Sequence, residues 1–269
     1  MAQRIPVMLS WSGGKDSALA LHALRADPRY EVRGLLTTLA GQYGRVSHHG
    51  VRAALLQRQA AAVGLPLHPL WLPAGEVAMA DYEALMEGAM ADLRAAGIRH
   101  VAFGDIFLAD LRAWRERKLA SVGMAGVFPL WGRETAGLLA GFIALGFQAR
   151  IACVDAARLD ARFAGRAIDA DLLHDLPPGV DPCGEHGEYH SFVTAGPGFS
   201  RPVPVTVGEV LQRDGRWFAD LLPADDTANG TDDGTREDTE HAAGAAMLPE
   251  SSAPGLNAGN RAHKKGASA

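Results

Sequence analysis

The chain has 269 residues, of which 48% are hydrophobic and 21% charged, and its formal net charge is −5 at pH 7. It has no run of about 18 uncharged apolar residues and no basic N-terminal region followed by an apolar signal segment, so we expect neither a membrane protein nor a secreted one. The two cysteines, Cys153 and Cys183, lie far apart and outside any CxxC pattern, which argues against a zinc site or a disulfide framework. We therefore expect reduced thiols and a cytoplasmic location.

A predicted strand, a glycine-containing loop and a helix open the chain. The strand covers 5–9, the loop reads Ser10-Trp11-Ser12-Gly13-Gly14-Lys15-Asp16-Ser17, and the helix follows. Adjacent glycines let backbone N–H groups converge on an anion, and the helix dipole and Lys15 add positive charge. The spacing is not that of a P-loop. It resembles the PP-loop of ATP pyrophosphatases, which cleave ATP to AMP and pyrophosphate. The alternatives are a glycine turn without a ligand and, for Asp16 and Ser17, ordinary helix capping.

The next segments predict a βαβ unit, and hence a parallel sheet. The predicted elements are a strand over 30–39, a polar loop over 40–50, a helix over 51–64 closed by glycine, a strand over 65–72 and a helix over 81–96. Pro66 and Pro69 place the strand over 65–72 at an edge of the sheet, because proline cannot donate to a central ladder.

A buried strand over 98–106 has its tip at Gly104 and Asp105. Ligands of open α/β sheets bind at the carboxyl ends of the strands, so we expect this tip to face the ligand. Asp105 would place a metal ion or the nucleotide there. The alternative is a turn acid or N-cap for the helix over 108–122, whose charges we expect to form a solvated face.

The remaining sequence suggests a second unit and a tail. An aromatic, irregular segment over 128–135 is expected to line or close a site, and a helix over 136–145 and a strand over 148–154 follow it. We place a PP-loop ATP-binding domain at 1–150, a small substrate-side domain at 151–222 and a disordered acidic tail at 223–269. The tail holds eight acids against four Lys and Arg residues, so the rest of the chain is nearly neutral and shows no basic nucleic-acid-binding face.

Five stretches match one family in order across roughly residues 5–221. They are SWSGGKDSALAL at 10–21, HGVR at 49–52, FGDIFLADLRAWRERKL at 103–119, FPLWGRET at 128–135 and GVDPCGEHGEYHSFV at 179–193. These stretches resemble the diphthine–ammonia ligase family, in particular its bacterial-type branch. The resemblance implies an α/β fold with a Rossmann-like parallel sheet and a PP-loop, of the adenine nucleotide alpha-hydrolase type, plus a small α+β C-terminal domain.

The resemblance also implies a reaction and its residues. ATP adenylates a carboxylate, pyrophosphate leaves, and ammonia attacks the acyl-adenylate to give an amide and AMP. The implied catalytic residues are Lys15, Asp16, Glu185 and Glu188. The implied ATP-binding residues are Ser10, Ser12, Gly13, Gly14, Lys15, Asp16, Ser17, Thr37, His49, Gly104 and Asp105, with Mg²⁺ held near Asp105. The implied substrate-binding residues are Trp131, Arg133, Glu185, His186, Gly187 and Glu188.

The acceptor side departs from the archaeal and eukaryotic ligases. His186 stands where they carry glycine, His190-Ser191 replaces an acid-Thr pair, and Asp105 replaces their usual alanine. Such residues set substrate pockets, and the composition resembles that of a bacterial chain, which would lack diphthine. We therefore expect ammonia and a different carboxylate, either small-molecule or protein-borne, as partners. We expect no membrane or nucleic-acid partner, and homo-oligomerisation is open.

Two other functions stay open on the sequence alone. A PP-loop enzyme that modifies tRNA would need paired redox cysteines or a basic face, and neither is evident. A non-catalytic nucleotide-binding protein would bind ATP without turnover. For single residues, the alternatives are solvated loop acids at Glu185 and Glu188, a helix cap at His49, and a structural rather than nucleophilic thiol at Cys183.

Overall fold

The structure is a computed structural model that describes residues 3–40, 45–46, 50–73 and 78–224. The first part alternates strands and helices: β1 (Ile5–Ser10), α1 (Lys15–Ala26), β2 (Tyr30–Ala40), β3 (Arg45–Val46), α2 (Ala53–Val63), β4 (Leu67–Leu72), α3 (Met79–Ala95), β5 (His100–Ala102), α4 (Ala109–Ser121), β6 (Ala125–Val127) and α5 (Thr135–Ala144). The second part contains β7 (Gln148–Asp155), a 3₁₀ turn (Ala161–Phe163), α6 (Ala170–Asp175), β8 (Tyr189–Ala195), β9 (Val205–Arg213) and β10 (Arg216–Pro223).

Five parallel strands form the sheet of the first part. β1 lies between β2 and β5, β5 also pairs with β6, and β2 also pairs with β4. The two-residue strand β3 adds an antiparallel pairing to the end of β2. The predicted Rossmann-like α/β fold is therefore confirmed.

Alternate residues of β1 face opposite sides of this sheet. Val7 and Leu9 belong to an apolar cluster with residues of α1, α2 and α5, whereas Met8 belongs to a second cluster with Met90 of α3 and Leu119 of α4. Side chains alternate along a strand, and parallel sheets are covered on both faces. The two clusters are these two covered faces.

Strand β4 has β2 as its neighbour in the described residues and forms one edge of the sheet. Pro69 lies within β4, where an edge position tolerates its missing N–H group. The helix before it, α2, ends at Gly64 with a φ of 71°, as the glycine predicts. The predicted edge position of β4 and the predicted end of α2 at a glycine are both confirmed.

The second part of the chain forms an antiparallel sheet with the strand order β8-β7-β10-β9. The predicted strand over 148–154 is β7, and the sheet confirms a small C-terminal region that differs from the first part. Strands β3, β6, β8, β9 and β10 lie outside the predicted strands, and β3 falls in the predicted polar loop over 40–50. The domain boundary near residue 150 stays a prediction.

The second sheet is hydrogen-bonded to the loop between β1 and α1. Val193 of β8 donates its N–H to the carbonyl of Gly13 at 2.9 Å. The side-chain amide of Gln59 donates to the carbonyls of both residues, at 2.9 Å to Gly13 and 2.6 Å to Val193. The hydroxyl of Ser191 accepts from the N–H of Lys15 at 3.1 Å. The C-terminal region therefore supports the PP-loop directly.

Some predicted details differ from the structure. Helix α1 begins at Lys15 with Gly14 as its N-cap, and the Ser17 hydroxyl donates to the Gly14 carbonyl, so N-capping by Ser17 is wrong. The predicted strand over 98–106 is regular only at His100–Ala102, so the predicted tip at Gly104 and Asp105 lies beyond the end of the strand. His49 and residues 225–269 lie outside the described residues.

Within the described ranges, no helix combines the length and apolar character that a bilayer crossing requires.

Candidate active site

A cavity of about 230 Å³ lies at the carboxyl ends of β1 and β5, where open α/β sheets bind ligands. Its walls come from the PP-loop, the tip of β5, helix α4 and the turn that leads into β8. The lining residues are Ser10, Ser12, Gly14, Lys15, Asp16, Ser17, Phe103, Gly104, Asp105, Arg115, Gly184, Glu185, Gly187, Tyr189, His190 and Ser191. The cavity thus joins the N-terminal motif to the C-terminal one.

Gly13 shapes the PP-loop from behind the cavity. Its φ of +79° lies in the left-handed region, and a Cβ there would lie 2.6 Å from Leu56 and 2.7 Å from the side-chain oxygen of Gln59. Glycine is therefore required at this position. Its neighbour Trp11 is 1% exposed and donates its ring N–H to the same Gln59 oxygen at 3.0 Å. Buried contacts thus fix the loop before any ligand binds.

Lys15 lines the cavity and is 2% exposed. Its ammonium makes several contacts. It donates to Asp16 at 2.9 Å and to the main-chain carbonyl of Cys183, and it lies 4.9 Å from the centre of the Tyr189 ring. Burial is the largest single effect and lowers the pKa of Lys15, but the Asp16 carboxylate together with Tyr189 and Cys183 outweighs burial and raises that pKa above its ordinary value. Lys15 therefore carries a fixed positive charge into the cavity.

Two aspartates face the cavity, and each has a cationic partner. Asp16 pairs with Lys15, and Asp105 lies 2.8 Å from Nε of Arg115 in an ion pair without hydrogen-bond geometry. Burial raises the pKa of both aspartates against the opposing effect of these cations. Helix α4 has Leu108 as its N-cap, so N-capping by Asp105 is wrong.

The tip of β5 reaches the cavity because Gly104 has no side chain. A Cβ at Gly104 would lie 2.8 Å from the main-chain carbon of Asp16, which is closer than real Cβ contacts come. The absence of a side chain therefore lets the β5 tip pack directly against the first turn of α1. This contact brings Asp105 and Asp16 to the same wall.

Glu185 enters the cavity from the turn before β8. One of its carboxylate oxygens accepts the N–H of Ile106 at 2.8 Å and that of Phe107 at 3.4 Å. Burial raises the pKa of Glu185 to about 7, against the lowering effect of the Ile106 N–H and with a further rise from the Asp16 charge. Glu185 is thus a carboxyl group that exchanges protons near neutral pH, and it is not a solvated loop acid.

Glu188 has a different environment from Glu185. It is 1% exposed, one of its oxygens accepts the N–H of Asp181 at 3.1 Å, and the other is buried without a hydrogen-bond partner. Glu188 does not line the cavity. The structure therefore brings the two glutamates into one turn but presents only Glu185 to the cavity.

Several predicted site residues lie outside the cavity lining. Thr37 donates its hydroxyl to the Trp11 carbonyl at 2.6 Å, so it supports the loop. The Arg112 guanidinium lies 4.6 Å from the Trp131 ring, and the His186 ring lies 5.2 Å from that of Phe107. The predicted residues that do not line the cavity are Gly13, Thr37, Trp131, Arg133, His186 and Glu188. Their roles stay predictions.

Other lining residues fall outside the sequence-based assignment. They are Phe103, Arg115, Gly184, Tyr189, His190 and Ser191. Four of these six lie in the stretch GVDPCGEHGEYHSFV, and Phe103 and Arg115 lie in the stretch FGDIFLADLRAWRERKL, so these two stretches are the local signals for them. Within its stretch Arg115 is one of several charged residues of α4, and only the fold brings it to Asp105. Burial raises the pKa of the Cys183 thiol to about 12, which argues against a nucleophilic role.

The donors for a metal ion are sparse in this cavity. Over the described part of the chain, no group of three or more His, Cys, Asp or Glu side chains is arranged to hold a metal ion. Mg²⁺ bound to a nucleotide needs less from the protein, because it is usually held by one or two carboxylates together with substrate phosphates. The Asp16 oxygen that lacks a hydrogen-bond partner fits that need.

Comparison with protein families agrees with this arrangement. The family model for the diphthamide synthase N-terminal domain matches residues 5–126, which include the PP-loop and the β5 tip. The model for the diphthamide synthase C-terminal domain matches residues 134–221, which include the Glu185 turn. A comparison with curated proteins gives no significant match. Because the two family models cover most of its length, the chain belongs to the diphthamide synthase family of diphthine–ammonia ligases, and this membership implies an ATP-dependent enzyme of the ligase type.

Proposed function

We propose that this protein adenylates a carboxylate with ATP, releases pyrophosphate, and transfers the acyl group to ammonia, so that the products are an amide and AMP. The observation that carries this proposal is the shared cavity, which Lys15, the start of α1 and Glu185 all line. A site for phosphate and a group that exchanges protons near pH 7 are the two parts that such a reaction needs.

In the first step, an oxygen of the acceptor carboxylate attacks the α-phosphorus of ATP. The bond from that phosphorus to the bridging oxygen breaks, and pyrophosphate leaves with the electron pair. A lysine ammonium has three N–H donors. Two donors of Lys15 bind Asp16 and Cys183, which leaves the third for a phosphate oxygen. Lys15 and the first N–H groups of α1 would stabilise the charge that develops on the leaving group.

Mg²⁺ fits beside this step, since Asp16 and Asp105 both line the cavity and one Asp16 oxygen lacks a partner. Asp16 also pairs with Lys15 and Asp105 with Arg115, so either carboxylate would share its charge between that cation and the ion. When bound, the ion would neutralise negative charge on the phosphate oxygens.

In the second step, ammonia attacks the acyl carbon, a carbon–nitrogen bond forms, and the carbon–oxygen bond to AMP breaks. The nitrogen must lose a proton. Glu185 would accept it, because its carboxylate lines the cavity and its pKa of about 7 suits a base near neutral pH. The N–H groups of Ile106 and Phe107 would hold that carboxylate in position.

The acceptor is proposed to be a carboxylate other than diphthine. His186, which stands where the archaeal and eukaryotic ligases carry glycine, forms an aromatic pair with Phe107 next to Glu185. This change in bulk beside Glu185 is expected to select a changed substrate. A cytoplasmic location stays part of the proposal.

An isotope experiment tests the function. A small-molecule extract and a protein extract are each incubated with the purified chain, ATP and nitrogen-15-labelled ammonium, and the products are analysed by mass spectrometry. We expect one compound to gain labelled nitrogen in place of a carboxyl oxygen, with the wild-type chain but not with Lys15→Met. Labelled product that forms equally with Lys15→Met, or ATP consumption without nitrogen incorporation, would contradict the proposal.

A further inference from the structure

The turn that carries Glu185 is held by a residue outside the cavity. Asp181 accepts two main-chain hydrogen bonds with one carboxylate oxygen, from Cys183 at 2.9 Å and from Glu185 at 3.1 Å. Its other oxygen accepts the hydroxyl of Thr135 at 2.7 Å. Both carboxylate oxygens of Asp181 therefore accept hydrogen bonds from within the protein, and Asp181 does not line the cavity.

The same residue closes the turn through its main chain. The Asp181 N–H donates to Glu188 at 3.1 Å, and its carbonyl accepts the N–H of Gly184 at 2.8 Å. The side chain of Glu188, which is 1% exposed, thus binds Asp181 at the start of the turn, whereas the main chain of Glu188 lies at the end of the turn. Hydrogen bonds therefore connect the two ends of this turn, which contains no helix or strand before Tyr189.

This turn carries two groups that bind the first part of the chain. The carbonyl of Cys183 accepts from the Lys15 ammonium, and the carboxylate of Glu185 accepts from Ile106. The N–H groups of these same two residues are the ones that Asp181 holds. Thr135 lies at the start of α5, so Asp181 connects their position to the helical body of the fold.

We propose that Asp181 is a positioning residue, whose carboxylate fixes the turn over 181–188 and thereby presents Glu185 to the cavity. Glu188 assists by binding the Asp181 N–H, which gives this buried glutamate a role without contact to the substrate. The proposal rests on the proposed function only for the part that Glu185 plays in turnover. The arrangement itself can be tested in the protein without substrate.

Amide hydrogen exchange at Ile106 reports whether Glu185 is in place, because the Glu185 carboxylate accepts that N–H. In Asp181→Ala we expect the exchange of the Ile106 amide to become about tenfold faster or more, since an N–H that loses its acceptor opens more readily. In Asp181→Asn we expect a change of less than about threefold, because a side-chain amide oxygen can accept the same two N–H groups. Asp160→Ala is the matched control, since Asp160 accepts the N–H of Arg162 in a short exposed turn elsewhere.

Unchanged exchange at Ile106 in Asp181→Ala would overturn the proposal, and so would equal acceleration in Asp181→Ala and Asp181→Asn. If Asp181→Ala does not fold, Thr135→Val is used, which removes only the hydroxyl donor to Asp181. The same Ile106 amide should then exchange about threefold faster or more, and no change would again overturn the proposal.

Turnover supplies a second readout. We expect kcat to fall about 10- to 100-fold in Asp181→Ala with a change of less than about threefold in the KM for ATP, and most of the rate to return in Asp181→Asn. A rate loss that Asp181→Asn does not restore would overturn the positioning role. Absence of amide formation by the wild-type chain would overturn the proposed function alone, since the exchange at Ile106 decides the role of Asp181 independently.

Discussion

Lys15 donates a hydrogen bond from its ammonium to the main-chain carbonyl of Cys183, 168 residues further along the chain. Two residues after Cys183, Glu185 enters the cavity. The Lys15 side chain thus joins the part of the cavity that we propose binds phosphate to the turn that we propose faces the acceptor. A phosphate that binds the Lys15 ammonium would therefore bind the same group that contacts the Cys183 carbonyl in the turn before Glu185.

Replacement of Lys15 by methionine should abolish most of the turnover. The change keeps the length of the side chain but removes the charge, so we expect kcat to fall about 10²- to 10³-fold, as for the loss of one donor to a developing negative charge. Release of AMP and pyrophosphate measures this, with ATP affinity from calorimetry. Lys118→Met is the control, because Lys118 forms an exposed ion pair with Glu83. Turnover within about threefold of the wild type would contradict the role of Lys15.

Glu185 should set the pH dependence of the reaction. Free ammonia becomes more abundant as pH rises, so the rates are compared at a constant concentration of free NH₃. A base acts in its deprotonated form, so under this condition the rate should rise with pH through about 7, the pKa of Glu185, and level off above it. Glu185→Gln should lose this rise together with most of the rate. A pH–rate profile with the same rise in both proteins would show that another group is responsible.

Glu185 should also affect the free energy of unfolding. Its pKa is higher in the folded protein than the ordinary value of 4.5, so the wild type loses stability as pH rises between about 4.5 and 7. Glu185→Gln cannot ionise and should be more stable by about 1–3 kcal/mol at pH 8, and by less than about 1 kcal/mol at pH 5. Urea unfolding at the two pH values measures the difference. Glu31→Gln, an exposed change, should show no such dependence on pH.

Alanine at Gly104 should disturb the cavity. The new Cβ would meet the main chain of Asp16 at 2.8 Å, so the β5 tip or α1 has to move. We expect a loss of about 1–3 kcal/mol in stability and about 10- to 100-fold in rate. Gly141→Ala is the matched control, because no atom lies within 4 Å of its Cβ position in α5. That change should leave the rate unaltered and raise stability by up to about 1 kcal/mol. Equal effects of the two variants would contradict the importance of the close approach at Gly104.

Arg115 should stabilise the ionised form of Asp105. Arg115→Gln leaves that largely buried carboxylate without its ion-pair partner, so we expect a loss of about 1–3 kcal/mol in stability at pH 8. Addition of Asp105→Asn in the same chain should recover most of the loss, because no charge is then left unpaired. Arg117→Gln, on the exposed side of α4, is the control. Chemical unfolding measures all four proteins, and an Arg115→Gln protein as stable as the wild type would contradict the pairing.

The parallel sheet could be predicted because its signals are local. Apolar runs marked β1, β2 and β7, Gly64 ended α2, and Pro69 indicated an edge. Strands β9 and β10 carry weaker signals, since an antiparallel sheet with one partly exposed side has short apolar runs mixed with polar residues. Their pairing is settled by contacts that are distant in sequence.

The site shows the same division between local and tertiary information. The SGGKDS motif indicates a phosphate loop, but it does not separate Lys15, which lines the cavity, from Gly13, which supports the loop from behind. The GEHGE segment brings Glu185 and Glu188 together, but their orientation depends on the bonds of Asp181. Arg115 is indistinguishable from the other charges of α4 until the β5 tip is placed beside it.

The most direct test of the account is the bond at which ATP is cleaved. Phosphorus NMR of a reaction that contains the wild-type chain, ATP, Mg²⁺, ammonium and a carboxylate-containing extract identifies the products. We predict AMP and pyrophosphate in equal amounts, in a reaction that needs both ammonium and Lys15. Formation of ADP and inorganic phosphate in their place would contradict the account.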